Sequence, residues 1–346
     1  MKLFKTTVSF LCIAGLFLLL FGCQSSVKVQ EKTYFTYFDT VSTLYSYADD
    51  DEERFSKNCS EIEGLLKKYH RLFDIYNEYD GINNLCTVNK NAGGEAVVVE
   101  RELIDFLLYA KELYSITDGE MNIMMGSVLS LWHSCRTDAI NGDPHLPESE
   151  ALKTAGMHIS IDSLVIDEKN CTVRITDDKA SIDVGALGKG YAAEKIAEYL
   201  ESADADGYVI DLGGNIRAVG TKPDGSGWVT GIRSPFDPSG YSKKFTLSDT
   251  SCVTSGNYER FFELNGVKYH HIIDKDTLDP ADYFASVTVI CEDSSMADAL
   301  STALFCMSYE KGIDLVDKLD GVEVLWVCKD GKIYMTDGLS ALEAEK

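Results

Sequence analysis

A change of texture near residue 159 constrains the fold more than any other feature of the chain. Before it, apolar residues recur at helical spacing. Phe55, Ile62, Leu65, Leu66, Tyr69 and Leu72 predict a helix over 52–76. Further helices are predicted over 100–117, stopped by Asp118-Gly119, and over 120–134, with a loop-rich stretch at 77–94 and a polar connection at 136–148. After it, short alternating runs predict strands at 164–167, 171–175, 180–184, 207–211, 215–219, 227–232, 244–248, 258–263, 267–273 and 285–291. A closing hairpin follows at 322–328 and 332–335, and helices at 189–200, 296–307 and 311–319 interrupt the strands. One more strand, over 34–47, precedes the first helix. No internal repeat or heptad appears. The pattern predicts an α+β fold: mixed, mainly antiparallel sheets with packed helices in a single large globular unit.

The first residues have a different purpose. Lys2 and Lys5 precede an apolar run from Val8 to Phe21, which is shorter than the roughly 20 residues a spanning helix needs. Gly22 and Cys23 follow, then the polar Gln24-Ser25-Ser26. A small residue before a cysteine is what a lipoprotein signal peptidase requires. We therefore expect a signal peptide over 1–22, a lipidated Cys23 and a tether over 23–32, with the folded unit at 33–340. That places the protein on the extracytoplasmic face of the cell membrane. An uncleaved N-terminal anchor with an incidental cysteine gives the same side.

Net charge is −24, with no basic run, so the chain lacks the footprint of a nucleic-acid protein and of a polybasic lipid-binding segment. Of the ten cysteines, none is spaced C-x-x-C, which argues against a zinc or redox motif. Buried thiols acting as small hydrophobes fit the eight outside Cys12 and Cys23.

Three stretches carry chemistry. In Ile182-Asp183-Val184-Gly185-Ala186-Leu187-Gly188-Lys189-Gly190-Tyr191, three glycines lie just before an amphipathic helix. Glycine lets backbone approach a ligand, helix N–H groups favour an anion, and Lys189 adds positive charge. A plain strand–turn–helix corner reads the same way. In Ala297-Asp298-Ala299-Leu300-Ser301-Thr302, Asp298 and Thr302 share one helix face and offer hard oxygens suited to magnesium or calcium. A first-turn aspartate helping the helix dipole is the alternative. Thr254-Ser255-Gly256-Asn257-Tyr258 is followed by Tyr269-His270-His271-Ile272-Ile273-Asp274, where adjacent histidines on a strand face opposite ways. This pair alone does not make a zinc site.

Taken together, these stretches resemble the ApbE family, the FAD:protein FMN transferases. The resemblance runs from about Tyr37 to Asp337 and its pieces come in the family's order. Phe38-Asp39-Thr40, Asp74-Ile75-Tyr76, Gly81-Ile82-Asn83-Asn84-Leu85, Asp118-Gly119-Glu120-Met121-Asn122 with Leu131-Trp132, and Asp211-Leu212-Gly213-Gly214-Asn215 accompany the three stretches above. The resemblance implies an ApbE-like, T-fold-like architecture. It also implies that Asp298, Thr302 and the Ala186 carbonyl hold Mg2+. Phe38, Tyr76, Glu120, Met121, Asn122, Asp183 and Lys189 would line the site for FAD, with His271 and Asp274 near the pyrophosphate. The sequence departs from the family's pattern in three places. Glu120-Met121-Asn122-Ile123 replaces A-F-D-P, Lys275 stands where the family has proline, and Leu278 where it has glycine.

The implied reaction is attack by a threonine hydroxyl of a client protein on the FMN phosphorus of FAD, with release of AMP. Such transfer is mainly positioning and charge neutralisation. Lys189 would assist, and His271 and Asp274 are the candidate bases. The implied clients are exported or membrane electron-transfer proteins carrying covalent FMN. Water in place of threonine would make the protein an FAD pyrophosphatase, and binding without cleavage a non-enzymatic FAD-binding lipoprotein.

Overall fold

The structure is a computed structural model, and it describes residues 29–47 and 52–344. The expected signal peptide and Cys23 lie outside the described residues.

In chain order, the first elements are β1 (Gln30–Tyr37), β2 (Thr40–Ser46), α1 (Glu52–Phe73), α2 (Leu85–Lys90), β3 (Val97–Val98), α3 (Arg101–Ile116), α4 (Gly126–Ile140), α5 (Ser149–Gly156), β4 (Leu164–Asp167) and β5 (Thr172–Ile175). Then come α6 (Gly188–Ser202), β6 (Tyr208–Leu212), β7 (Asn215–Val219), β8 (Trp228–Arg233), β9 (Tyr241–Leu247), β10 (Ser251–Gly256), β11 (Phe262–Leu264), β12 (Val267–Tyr269) and β13 (Ser286–Cys291). The chain closes with α7 (Ser294–Phe305), α8 (Tyr309–Val316), β14 (Glu323–Val327), β15 (Ile333–Met335) and α9 (Leu339–Leu342).

An eight-stranded sheet in the order β1-β2-β6-β7-β10-β13-β14-β15 forms the frame, and its neighbours pair antiparallel. The alternation of its strands gives each face its own core. On one face Leu44, Ile210, Leu212, Val253, Val287 and Val289 pack against α1, α6 and α7. On the other, Val209, Ala218, Cys252, Ile290 and Leu325 pack under the β8–β9 hairpin with Trp228, Ile232, Phe245 and Leu247. The α+β expectation, mainly antiparallel, describes this architecture. Among the described residues no helix is long and apolar enough to cross a membrane.

Several local expectations change. The single strand predicted over 34–47 is a hairpin, turning at Phe38 and Asp39 with φ of 56° and 50°. Positive φ at both central residues is the type I′ pattern of a two-residue hairpin, and a bulky phenylalanine rarely takes it. The helix predicted over 120–134 starts later and runs through Ile140, and α2 and α5 occupy stretches read as loop or left unread. The strand predicted over 180–184 shrinks to one bridge, Met125 to Ser181. The run at 258–263 is strand only from Phe262, and 267–273 only as far as Tyr269. Central strand β10 was not predicted at all.

One irregularity of the sheet matters for function. Strands β7 and β10 pair only at Arg217–Ser251 and Ile216–Cys252. Beyond these residues the sheet forks, and a cleft reaches into the fork.

Candidate active site

The cleft has a volume of about 1720 Å³ and is bounded by the β1–β2 turn, the loops at 74–77 and 120–125, the bend at 183–189, α7 and β8–β9. Its best-packed wall is the junction of α6 and α7. Gly190 is in the first turn of α6, whose start has no side-chain cap of its own. A Cβ at Gly190 would stand 2.3 Å from the Ser294 carbonyl oxygen and 2.5 Å from Asp298 Cβ. The third glycine of the run therefore serves helix packing, not ligand approach. That closeness lets the Gly190 N–H donate to Asp298 Oδ2 at 2.8 Å, so a carboxylate from α7 caps the start of α6.

The other oxygen, Asp298 Oδ1, lies 3.7 Å from Lys189 Nζ. Asp298 is buried, and its partner four residues on, Thr302, meets Ser255 Oγ of β10 at 3.2 Å. Ser255 also pairs with Ser301 Oγ at 2.9 Å. The α6–α7 corner is thus tied to the fork of the sheet by hydroxyls.

Asp183 shapes the bend. Its Oδ1 accepts the Gly185 N–H at 2.9 Å, and its own N–H donates to the Ile123 carbonyl at 2.8 Å, joining the bend to the 120–125 loop. Asn122 spends its amide on that loop, accepting from Met124 N–H and donating to the Ile159 carbonyl. Asp74 does the same for the neighbouring loop. Although burial works against its charge, hydrogen bonds from Asn77, Tyr79 and Tyr76 hold it below the usual carboxylate range. This turn presents Tyr76, an exposed aromatic whose hydroxyl reaches His133 Nδ1 at 3.2 Å. An exposed ring at a cleft mouth is a stacking platform.

The two adjacent histidines point opposite ways. His270 packs edge-on against Phe305 and shares a hydrogen bond with the Ala281 carbonyl at 3.0 Å. His271 lines the cleft, and its Nδ1 is buried without a hydrogen-bond partner. Burial, then the charges of Arg260, Lys189 and Arg136 together with His270, push its pKa down to about 3. It is a neutral imidazole in a cationic setting.

Phe38, Tyr76, Glu120, Met121, Asn122, Asp183, Ala186, Lys189, His271, Asp298 and Thr302 all line this one cleft. Asp274 does not. It is buried, and its Oδ1 accepts the N–H groups of Asp276 and Thr277 at 2.8 and 3.0 Å. In this structure Asp274 shapes a turn between the cleft-lining Ile273 and Lys275.

Two departures from the family pattern meet in space. Lys275 Nζ lies 3.4 Å from Glu120, whose carboxyl burial pushes up despite this partner. The third, Leu278, has φ of 62°, the conformation glycine adopts freely. Its methyl packs where a Cβ on Gly156 would sit, 2.6 Å away, and its carbonyl accepts from Trp132.

Among the described residues no group of three or more His, Cys, Asp or Glu side chains is arranged to hold a metal. The donors at the α6–α7 corner are of another kind: one carboxylate, a threonine hydroxyl and main-chain oxygen. Such hard oxygens fit magnesium, which keeps several waters and takes few protein carboxylates. Sequence reasoning missed Arg136, Arg260 and His133, which also line the cleft.

The ApbE family model matches residues 26–326. The chain belongs to the ApbE family. Relatives of this ApbE chain include the FAD:protein FMN transferase of Treponema pallidum, 34% identical over 268 residues, 74% of this chain and 73% of that protein. That of Klebsiella pneumoniae is 29% identical over 281 residues, 80% of this chain and 84% of that protein. Among solved structures, the ApbE protein of Thermotoga maritima superimposes with a TM-score of 0.81 at 27% identity, covering 92% of this chain and all of that one. The flavin transferase ApbE of Vibrio cholerae, at 23% identity and a TM-score of 0.75, shares the ApbE fold.

Proposed function

We propose that this chain is an FAD:protein FMN transferase, moving FMN from FAD to a threonine hydroxyl of client proteins and releasing AMP. Membership of the ApbE family and the names of its relatives support the activity. The observation that carries the reading at residue level is convergence. Lys189, His271, Asp298 and Thr302 meet a wall of stacking and loop residues in one cleft.

The geometry supports a division of labour. Tyr76 and Phe38 offer rings to a flat ligand. Lys189 would meet the ligand's negative charge. Asp298, Thr302 and the Ala186 carbonyl would hold Mg2+, which supplies neutralisation of the pyrophosphate when bound. His271 is too weak a base in the anion-free cleft. A pyrophosphate there would cancel the surrounding positive charge and move its pKa back toward the ordinary range, where it can take the threonine proton. The cleft is larger than the roughly 300–1,000 Å³ of a single small-molecule pocket, which leaves room for a client segment beside the dinucleotide.

The finer reading also includes location. The N-terminal run supports a signal peptide over 1–22, a lipid on Cys23, a tether to residue 32 and a transferase domain over 33–340, anchored at the extracytoplasmic face of the membrane. Clients would be electron-transfer proteins at the same surface.

Incubation of the purified protein with FAD, Mg2+ and a candidate client, followed by mass spectrometry, tests the reading. We expect FMN on a threonine and equimolar AMP. Free FMN and AMP without attachment would make the protein an FAD pyrophosphatase. Bound FAD with no AMP would make it a flavin-binding protein.

A further inference from the structure

The chain carries 56 acidic side chains against 32 Lys and Arg. A cation here has no shortage of partners. Arg101 pairs with Asp105 and Glu168, Arg217 with Glu194 and Glu201, and Arg233 with Glu259. Arg136 and Arg260 break this pattern. Among the described residues neither has a carboxylate within 4.0 Å or a hydrogen-bond acceptor, and both line the cleft. They come from separate elements. Arg136 is on α4, half-buried, and Arg260 is on the β10–β11 connection with φ of 39°, strained for a non-glycine residue. They are near enough to repel: burial, then the Arg260 charge, holds the Arg136 guanidinium below its usual range.

Two guanidinium groups that line one cleft, one half-buried and one exposed, and that have no carboxylate partner are open to a counter-charge from outside the protein. A third group faces the same space. The His271 Nδ1 is buried and unpaired. Burial, then the charges of Arg260, Lys189 and Arg136, depress His271, so three cations face one neutral imidazole. Tyr76 and His133 border it.

We propose that Arg136 and Arg260 are the seat of the leaving phosphate, that of AMP. This rests on the reading of the site as one that cleaves FAD. In that reaction the threonine oxygen forms a bond to the FMN phosphorus. The bond from that phosphorus to the bridging oxygen breaks, its electron pair stays on the AMP phosphate, and the threonine proton leaves to a base. Each phosphate of FAD carries about one negative charge, whereas the departing AMP monoester approaches two. Each guanidinium can donate two parallel N–H bonds to two oxygens of a phosphate, and it gains most where charge develops. Its interaction is therefore stronger in the transition state than with bound FAD, which accelerates the step rather than merely tightening substrate. Neutral riboflavin gains nothing from it.

The test is binding of AMP, and separately riboflavin, in EDTA by calorimetry, to the full chain and to Arg136→Gln, Arg260→Gln and Arg260→Lys. Each Gln variant should lose about 10-fold in AMP affinity, the scale of one charged hydrogen bond, while riboflavin affinity holds. Arg260→Lys should recover part of it. With FAD, Mg2+ and client, kcat should fall about 10-fold or more, with KM for FAD within about threefold. AMP affinity unchanged in both folded Gln variants overturns the proposal. So does a parallel loss of AMP and riboflavin, which marks a structural role, or a rise in KM for the client alone, which marks a contact with protein. If the wild-type chain releases no AMP from FAD yet its AMP affinity depends on both arginines, the seat stands and the FAD-cleaving reading falls.

Discussion

The two walls of the cleft are built on opposite principles. At the α6–α7 corner the protein's own groups hold one another in place. Asp298 caps α6 through Gly190, Lys189 stands beside it, and Ser255 links Thr302 and Ser301 to the sheet. Elsewhere in the cleft, and among the described residues, Arg136 and Arg260 have no carboxylate partner and the His271 Nδ1 has no hydrogen bond. The first wall is fixed in shape before a ligand arrives, and the second takes its counter-charge from the ligand. A site for an anionic substrate needs both: a rigid corner to fix geometry, and an unpaired surface whose electrostatic energy is released on binding.

Removing the charge from the finished wall should have the largest effect. Asp298→Asn keeps the shape and one acceptor for Gly190 but loses the carboxylate. We expect AMP release from FAD to fall by about 10²–10³-fold, with riboflavin affinity unchanged. Activity near wild type with Mg2+ would remove Asp298 from the chemistry and break the contrast.

Crowding the same wall comes next. Gly190→Ala forces a methyl into the Ser294 carbonyl and Asp298 Cβ, both backed by helix. Overpacking of this kind costs about 1–3 kcal/mol, read as a lower urea midpoint. No loss of stability would show that the corner has room for a methyl group.

The open wall has a pH signature. His271 sits near 3 when folded and at an ordinary 6.5 when unfolded. Between those values the unfolded chain binds a proton that the folded chain excludes. This contribution to stability is present above pH 6.5 and is lost as pH falls toward 3, at up to about 1.4 kcal/mol per pH unit. His271→Gln should soften the acid loss measured between pH 7 and pH 5. Equal acid sensitivity in both proteins would place the imidazole in a more hydrated setting.

Asp274→Asn should do least. Its Oδ1 can still accept from Asp276 and Thr277, so kcat should change by less than the 10²–10⁴-fold that loss of a general base produces. A loss on that larger scale would return Asp274 to the reaction.

Much of this was legible in the chain, for reasons that can be named. Asp298 and Thr302 stand four apart on a helix, and that spacing alone puts them on one face. The 182–191 run shows its glycines plainly, yet the reason for Gly190 lies on a helix more than 100 residues away. Strand β10 is hidden in sequence because Ser251-Cys252-Val253-Thr254-Ser255-Gly256 does not alternate and has only Val253 and Thr254 as strong strand formers, and it is held by neighbours on both sides. The Phe38–Asp39 turn lacks the usual Asn-Gly signal. Arg136 and Arg260 escaped notice because an arginine without a partner looks, in sequence, like any other. The pairing of Glu120 with Lys275 was equally hidden: two separate departures from a motif become one ion pair only after folding.

The most direct measurement is a crystal of the protein soaked with FAD and Mn2+, read by anomalous scattering. The account predicts an ion bounded by Asp298, Thr302 and the Ala186 carbonyl, with the pyrophosphate between it and the Arg136–Arg260 wall. FAD bound with its phosphates turned away from both, and no metal signal at Asp298, would contradict it.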